Sequence, residues 1–127
     1  MTEVPEEVKM FLVEAYENLD QVEMDMVELE KNPSDNDLLN SIFRCIHTIK
    51  GNSGFLAFPK LEEVCHVGET VLDKLRSGEL QLSSDLTTSL LNFVDLTRQI
   101  LNVIESSGAE GEPEIADMKA ELSKFLS

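Results

Sequence analysis

His47, Lys50 and Gly51 stand together in the stretch HTIKGNSG, residues 47–54, and His66 and Glu69 follow in HVGE, residues 66–69. An imidazole is a nucleophile when one ring nitrogen holds the proton and the other keeps its lone pair. A carboxylate bonded to the first nitrogen fixes that tautomer. Its charge also favours the protonated ring, which is not nucleophilic. A lysine nearby opposes that second influence and can pair with an anion added to the ring. Residue types alone leave open which influence is larger.

The glycines are the other anomaly. Gly51 falls one turn after His47 and Gly54 almost two, inside an apolar pattern that reads as a helix. In a helix interior each is worse than alanine by about 1 kcal/mol. Without side chains there, a partner can approach the imidazole closely. The plainer reading is that one of them ends the helix in a left-handed conformation.

Five helical segments must position these groups. Val8, Leu12, Ala15, Leu19, Val22, Met26 and Leu29 recur at alternating spacings of four and three, one stripe of an amphipathic helix. It spans about 5–31, with Pro5 in the first turn and Asn32-Pro33-Ser34 breaking it. A second helix, about 35–57, carries Leu38, Ile42, Cys45, Ile46 and Ile49 and is capped by Ser34 or Asp35. Phe58-Pro59 is a hinge, because the residue before proline avoids helical angles. A third helix runs over about 59–77 to Ser77-Gly78, and a fourth over about 84–106 into SSGAEGE, which reads as a flexible linker. A fifth is expected at about 113–126, with Pro113 at its start. No run alternates with period two, so strands are not expected. Short connections between long helices predict an all-α, up-and-down antiparallel four-helix bundle with an additional fifth helix, forming a single domain.

On the wheel of the second helix, Asn40, Arg44, Lys50, Gly51 and Gly54 fall within about 60° of His47, while the apolar stripe lies roughly opposite. The histidine is therefore expected on the outward face or at its border with a neighbour. If the chain reverses at Phe58, His47 eleven residues before it and Glu69 eleven after it share a level, about 16 Å from the hinge. His66 and Glu69 share a face of the third helix at i, i+3. Glu69 is thus placed to reach the ring. Tyr16 and Phe11 of the first helix are expected to border the same face.

Charge supports a functional surface there. The chain carries 25 acidic residues in 127 and a net charge of −15, yet none lies between Leu38 and Leu61, where Arg44, Lys50 and Lys60 do. A cationic patch on an acidic domain suits a phosphate or an acidic pocket. The net charge argues against nucleic acid and anionic membrane surfaces as partners. No signal peptide or membrane span is visible, and two cysteines make no disulfide framework. Reduced thiols and a cytoplasmic location follow as expectations.

The stretch IFRCIHTIKGNSGFLAF followed by HVGETVLDKLRSGE resembles histidine-containing phosphotransfer domains, most closely the N-terminal ones of CheA-type chemotaxis histidine kinases. The family pattern H-[ST]-[IL]-K-G is met by His47, Thr48, Ile49, Lys50 and Gly51. The later H-x-x-E is met by His66 and Glu69, and the preceding Phe-Arg by Phe43 and Arg44. Asn52-Ser53 and Gly68 depart from the usual pattern. The resemblance implies that His47 accepts a phosphoryl group, that Glu69 bonds the ring's inner nitrogen with His66 nearby, that Lys50 balances phosphate charge and that Gly51 clears space. It implies a histidine kinase catalytic domain as donor and an aspartate of a response regulator, a CheY-like receiver, as acceptor. ATP and Mg²⁺ would belong to those partners. This chain has no P-loop lysine motif, and no cofactor of its own is expected. The isolated domain is expected to be a monomer.

Two other readings compete. A metal-binding bundle could draw on His47, His66, Cys45 and Cys65, but Cys45 sits on the core stripe and Cys65 does not share the face of His66, so no metal site is expected. A non-catalytic helical adaptor would dock a partner through the Leu38–Leu61 patch, with His47 incidental.

Overall fold

The four-and-three spacing of the first segment becomes α1, Glu6–Lys31, in a computed structural model that describes residues 4–127. α2 spans Asn36–Phe55, α3 Pro59–Ser77, α4 Ser84–Ser107 and α5 Ala116–Ser123, and a 3₁₀ turn, Lys124–Leu126, follows. The described residues contain no strand. α1 packs on α2 and α4, and α3 on α2 and α4, which closes a ring of four antiparallel helices; α5 lies against α3 and α4. Leu19, Ile46, Ile49, Leu61, Phe93 and Leu101 fill the centre and are essentially solvent-free. Burial of each such side chain stabilises the fold by about 1.5–3 kcal/mol.

Local chemistry sets the helix ends. The Asp35 carboxylate accepts from the N–H groups of Asp37 and Leu38 at 3.0 and 3.2 Å, and the Ser83 hydroxyl accepts from that of Leu86 at 3.1 Å. Gly78 and Gly108 end α3 and α4 at φ 84° and 80°, angles that a Cβ disfavours. α2 ends at Phe55, two residues before the expected 57. Its closing loop has Phe58 N–H on Ser53 C=O (2.8 Å) and Ala57 N–H on Gly54 C=O (3.2 Å). That is a Schellman closure with alanine, at φ 63°, in the left-handed seat usually given to glycine. Neither Gly51 nor Gly54 ends the helix.

Two expectations about the C-terminal third need correction. α5 begins at Ala116, not near 113, because the Glu114 carboxylate accepts from the Ala116 N–H at 2.8 Å and holds the preceding residues out of the helix. The SSGAEGE segment is not a loose linker. Its Glu110 is 8% exposed and accepts from the backbone N–H groups of Lys60 (2.9 Å) and Leu61 (3.0 Å). The residue before α3, Phe58, offers no side-chain cap, so a carboxylate some fifty residues downstream satisfies the donors and meets the positive end of the helix dipole.

Candidate functional site

The reversal at Phe58 puts α2 and α3 side by side in mirrored register. Gly54 and Glu62, each four residues from Phe58, lie against one another. Seven residues further out on each helix, His47 Nδ1 lies 2.5 Å from Glu69 Oε2. Lys50 Nζ donates to the other carboxylate oxygen, Oε1, at 2.8 Å. The His47 side chain is 60% exposed and that of Glu69 only 13%. The nucleophile candidate therefore faces water, and its orienting group is held behind it.

Burial pushes the Glu69 carboxyl up, but the hydrogen bonds from Lys50 and His47, together with their charges, outweigh it and hold the group below its ordinary range. Glu69 is thus ionised at neutral pH and can only accept. Nδ1 must be the donor, and Nε2, on the far side of the ring, is the nitrogen left for chemistry. Lys50 is committed to Glu69 rather than standing free, so its charge offsets the carboxylate that the imidazole also uses.

Other expected residues separate into two groups. Arg44 is exposed one turn before His47, and its C=O accepts from Thr48 Oγ1 at 2.9 Å. His66 is exposed and borders an open groove with Lys50, Glu62, Glu63, Val67 and Lys119. Gly51 is open: a Cβ there would meet nothing within 4 Å. Gly54 is different, because a Cβ there would meet the Glu62 carboxylate, the movable end of an exposed side chain of α3. Lys60 also leaves the site. It is nine residues before Glu69, two and a half turns, and so on the opposite face of α3. Phe11 is buried beside Phe58, and Tyr16 bonds Asn102 of α4 at 2.6 Å, so neither borders the histidine.

Two contacts were not foreseen. The Phe43 ring lies nearly parallel to that of His47, with centroids 5.9 Å apart and planes 8° apart. The Arg76 guanidinium sits 3.8 Å above the Phe43 ring. The i, i+4 spacing of Phe43 and His47 was a usable signal; the reach of Arg76 across from α3 had none. The cysteines take no part: Cys65 is fully buried and Cys45 half-buried, both as free thiols. No metal-ligating cluster of three side chains occurs among the described residues.

A helical bundle in which an exposed histidine is backed by a carboxylate on the adjacent helix defines a class of protein. The Hpt domain family model matches residues 6–125, and the chain belongs to that family. Within it, the chain is similar to the CheA group. It is 42% identical over 131 aligned residues to the sensor histidine kinase CheAY of Helicobacter pylori, an alignment covering 100% of the chain and 16% of that protein. It is 32% identical over 117 residues to the chemotaxis protein CheA of Borreliella burgdorferi, covering 92% of the chain and 13% of that protein. The chain thus spans about a sixth or less of the length of these relatives. Among solved structures, it superposes on the histidine phosphotransfer domain of CheA with a TM-score of 0.82, at 33% identity, covering 94% of the chain and 88% of that domain. The CheA phosphotransferase domain from Thermotoga maritima matches with a TM-score of 0.74 at 36% identity, covering 77% and 93%.

Proposed function

We propose that His47 is the phosphoacceptor of a chemotaxis-type signalling pathway. It takes a phosphoryl group from an ATP-dependent kinase domain and passes it to an aspartate of a response regulator. The observation that carries this reading is the exposed imidazole whose Nδ1–H is anchored on a largely shielded, ionised Glu69. In the first step the Nε2 lone pair forms a bond to the γ-phosphorus while the bridging P–O bond breaks, and the electron pair leaves on ADP. The ring keeps its Nδ1 proton, and the positive charge it gains faces Glu69. In the second step an aspartate oxygen bonds to phosphorus, the N–P bond breaks, and its electron pair returns to Nε2.

Phosphoryl transfer depends on position and charge more than on covalent chemistry from the protein. This chain's share is a held nucleophile with open surroundings at Gly51. Lys50 lies beside the carboxylate, and Arg44 and His66 flank the approach. ATP and Mg²⁺ are supplied by the kinase domain and the regulator, and on this reading the reaction is cytoplasmic. No helix among the described residues is long and apolar enough to cross a membrane.

Incubation with a kinase catalytic domain and γ-labelled ATP tests this. The expected label is acid-labile, alkali-stable, absent from His47→Gln, and chased onto a receiver domain. Undiminished label in His47→Gln moves the acceptor to another residue. No label on the wild type under conditions that phosphorylate other Hpt domains leaves the adaptor reading.

A further inference from the structure

A hydrogen bond at Nδ1 fixes one atom of the His47 ring but leaves the ring free to swing about it. The direction of Nε2 needs a second constraint, and α2 and α3 together provide one. Phe43, one turn before His47 on the same face, lies offset and nearly parallel to the imidazole. Arg76, from α3, sits over Phe43 with its guanidinium carbon 3.8 Å from the ring centroid and is itself tied to Asp73 by a 2.7 Å ion pair. Arg76 follows Glu69 by seven residues, two turns along the same helix.

We infer that Phe43 and Arg76 are positioning residues that set the plane of the His47 imidazole. This inference rests on the phosphoacceptor reading above for its functional consequence. α3 then supplies both halves of the orientation: Glu69 fixes where the proton sits, and Arg76, through Phe43, fixes where the lone pair points. A planar guanidinium suits this task because it can lie face-on against a ring while its edge bonds a carboxylate, which an ammonium group cannot do. A displacement of about 1 Å in a reacting atom can slow a reaction by about 100-fold, so restricting the ring has a kinetic effect without any contact to the phosphate.

The test uses the full chain with Arg76→Ala, Phe43→Leu and Phe43→Tyr. Nitrogen-15 NMR of the His47 ring is the first readout, because it reports tautomer and ring order without needing the reaction. Wild type and Phe43→Tyr, which keeps a flat ring, are expected to show the proton held on Nδ1. Arg76→Ala and Phe43→Leu are expected to keep the Nδ1 proton, which Glu69 holds, while the ring loses order, read as faster relaxation and a lower order parameter of the imidazole. Phosphorylation by a kinase domain is the second readout, with kcat falling about 10-fold and KM changing little in the same two variants. Lower melting temperatures with unchanged order of the His47 ring and unchanged kcat would mean that the stack only stabilises the bundle, and would overturn the inference. Arg76 is 35% exposed, so its alanine variant is expected to fold even if Phe43→Leu does not. If the wild type itself takes no phosphoryl group, the phosphoacceptor reading falls, while the NMR result still decides whether these residues hold the ring.

Discussion

The ring of Phe93 occupies the space that a side chain at position 68 would need. A Cβ built on Gly68 would lie 2.6 Å from Cζ of a phenylalanine that is 1% exposed. This contact accounts for a glycine within α3: α3 and α4 approach too closely there for any larger residue. Gly68→Ala should gain about 1 kcal/mol of helix propensity and lose about 1–3 kcal/mol to overpacking. A lower urea midpoint at unchanged slope is expected; a midpoint above that of the wild type would show that Phe93 can yield.

Gly51→Ala should behave in the opposite way. Nothing lies within 4 Å of that position, so only the propensity gain of roughly 0.5–1 kcal/mol remains, and the protein should become more stable. Phosphorylation should nevertheless slow, because the added methyl stands one turn from His47 on the face that a partner must approach. Equal or faster phosphorylation would remove the close-approach argument.

The pH dependence of Glu69 has a definite sign. Its carboxyl is held below the ordinary value of 4.5, so its contribution to stability is complete above that value and fades as pH falls through the lower folded pKa. The stability difference between the wild type and Glu69→Gln, followed by thermal melts, should therefore not fall between pH 7 and about 4.5 and should shrink below it. A difference that declines already between pH 6 and 5 would mean that the carboxylate is not held as described.

The two thiols should differ in reactivity. Burial pushes the Cys65 thiol up to about 12, with the polar side chain of Thr97 opposing it only in part. Cys45, half-buried, is raised first by burial and then by the charge of Asp25, with Arg44 opposing. At pH 8 a disulfide reagent should label Cys45 slowly and Cys65 only on unfolding. Labelling of Cys65 at the rate of Cys45 would reveal opening of the core near Thr97.

Ala57 carries strain that glycine would relieve. A left-handed alanine is disfavoured by about 1–2 kcal/mol, against roughly 0.4–1 kcal/mol of extra chain entropy that glycine brings to the unfolded state. Ala57→Gly should raise Tm by roughly 2–4 °C in calorimetry. A fall would mean that the loop between α2 and α3 draws on a contact of the alanine methyl.

Much of this arrangement was readable from periodicity. The stripes of α1 to α4 place His47 opposite the core, and equal counting from Phe58 is enough to pair it with Glu69, because antiparallel helices share one rise per residue. Counting along one helix does not say which way a side chain faces its neighbour, and this is why sequence alone groups Gly54 and Lys60 with the histidine when one faces Glu62 and the other is on the face of α3 away from Glu69. The least legible features depend on partners distant in sequence. Asp25, only 6% exposed, bridges Ser41 at 2.6 Å and Gln21 at 2.9 Å within the α1–α2 groove, and nothing in its local pattern separates it from the many solvated acids of α1. Arg76 and Glu110 were hidden for the same reason: long side chains choose partners that only the assembled bundle brings near.

Glu110 also bears on how far this domain can be shortened. Every side chain gathered around His47 lies before residue 77, so a fragment cut at the close of α4 would look sufficient for transplanting the relay onto another scaffold. That fragment would leave two amide donors of α3 unanswered, at the root of the helix that carries both the acid and the guanidinium. The smallest portable version of the relay therefore extends past position 110, with its boundary set by a residue that takes no part in the chemistry.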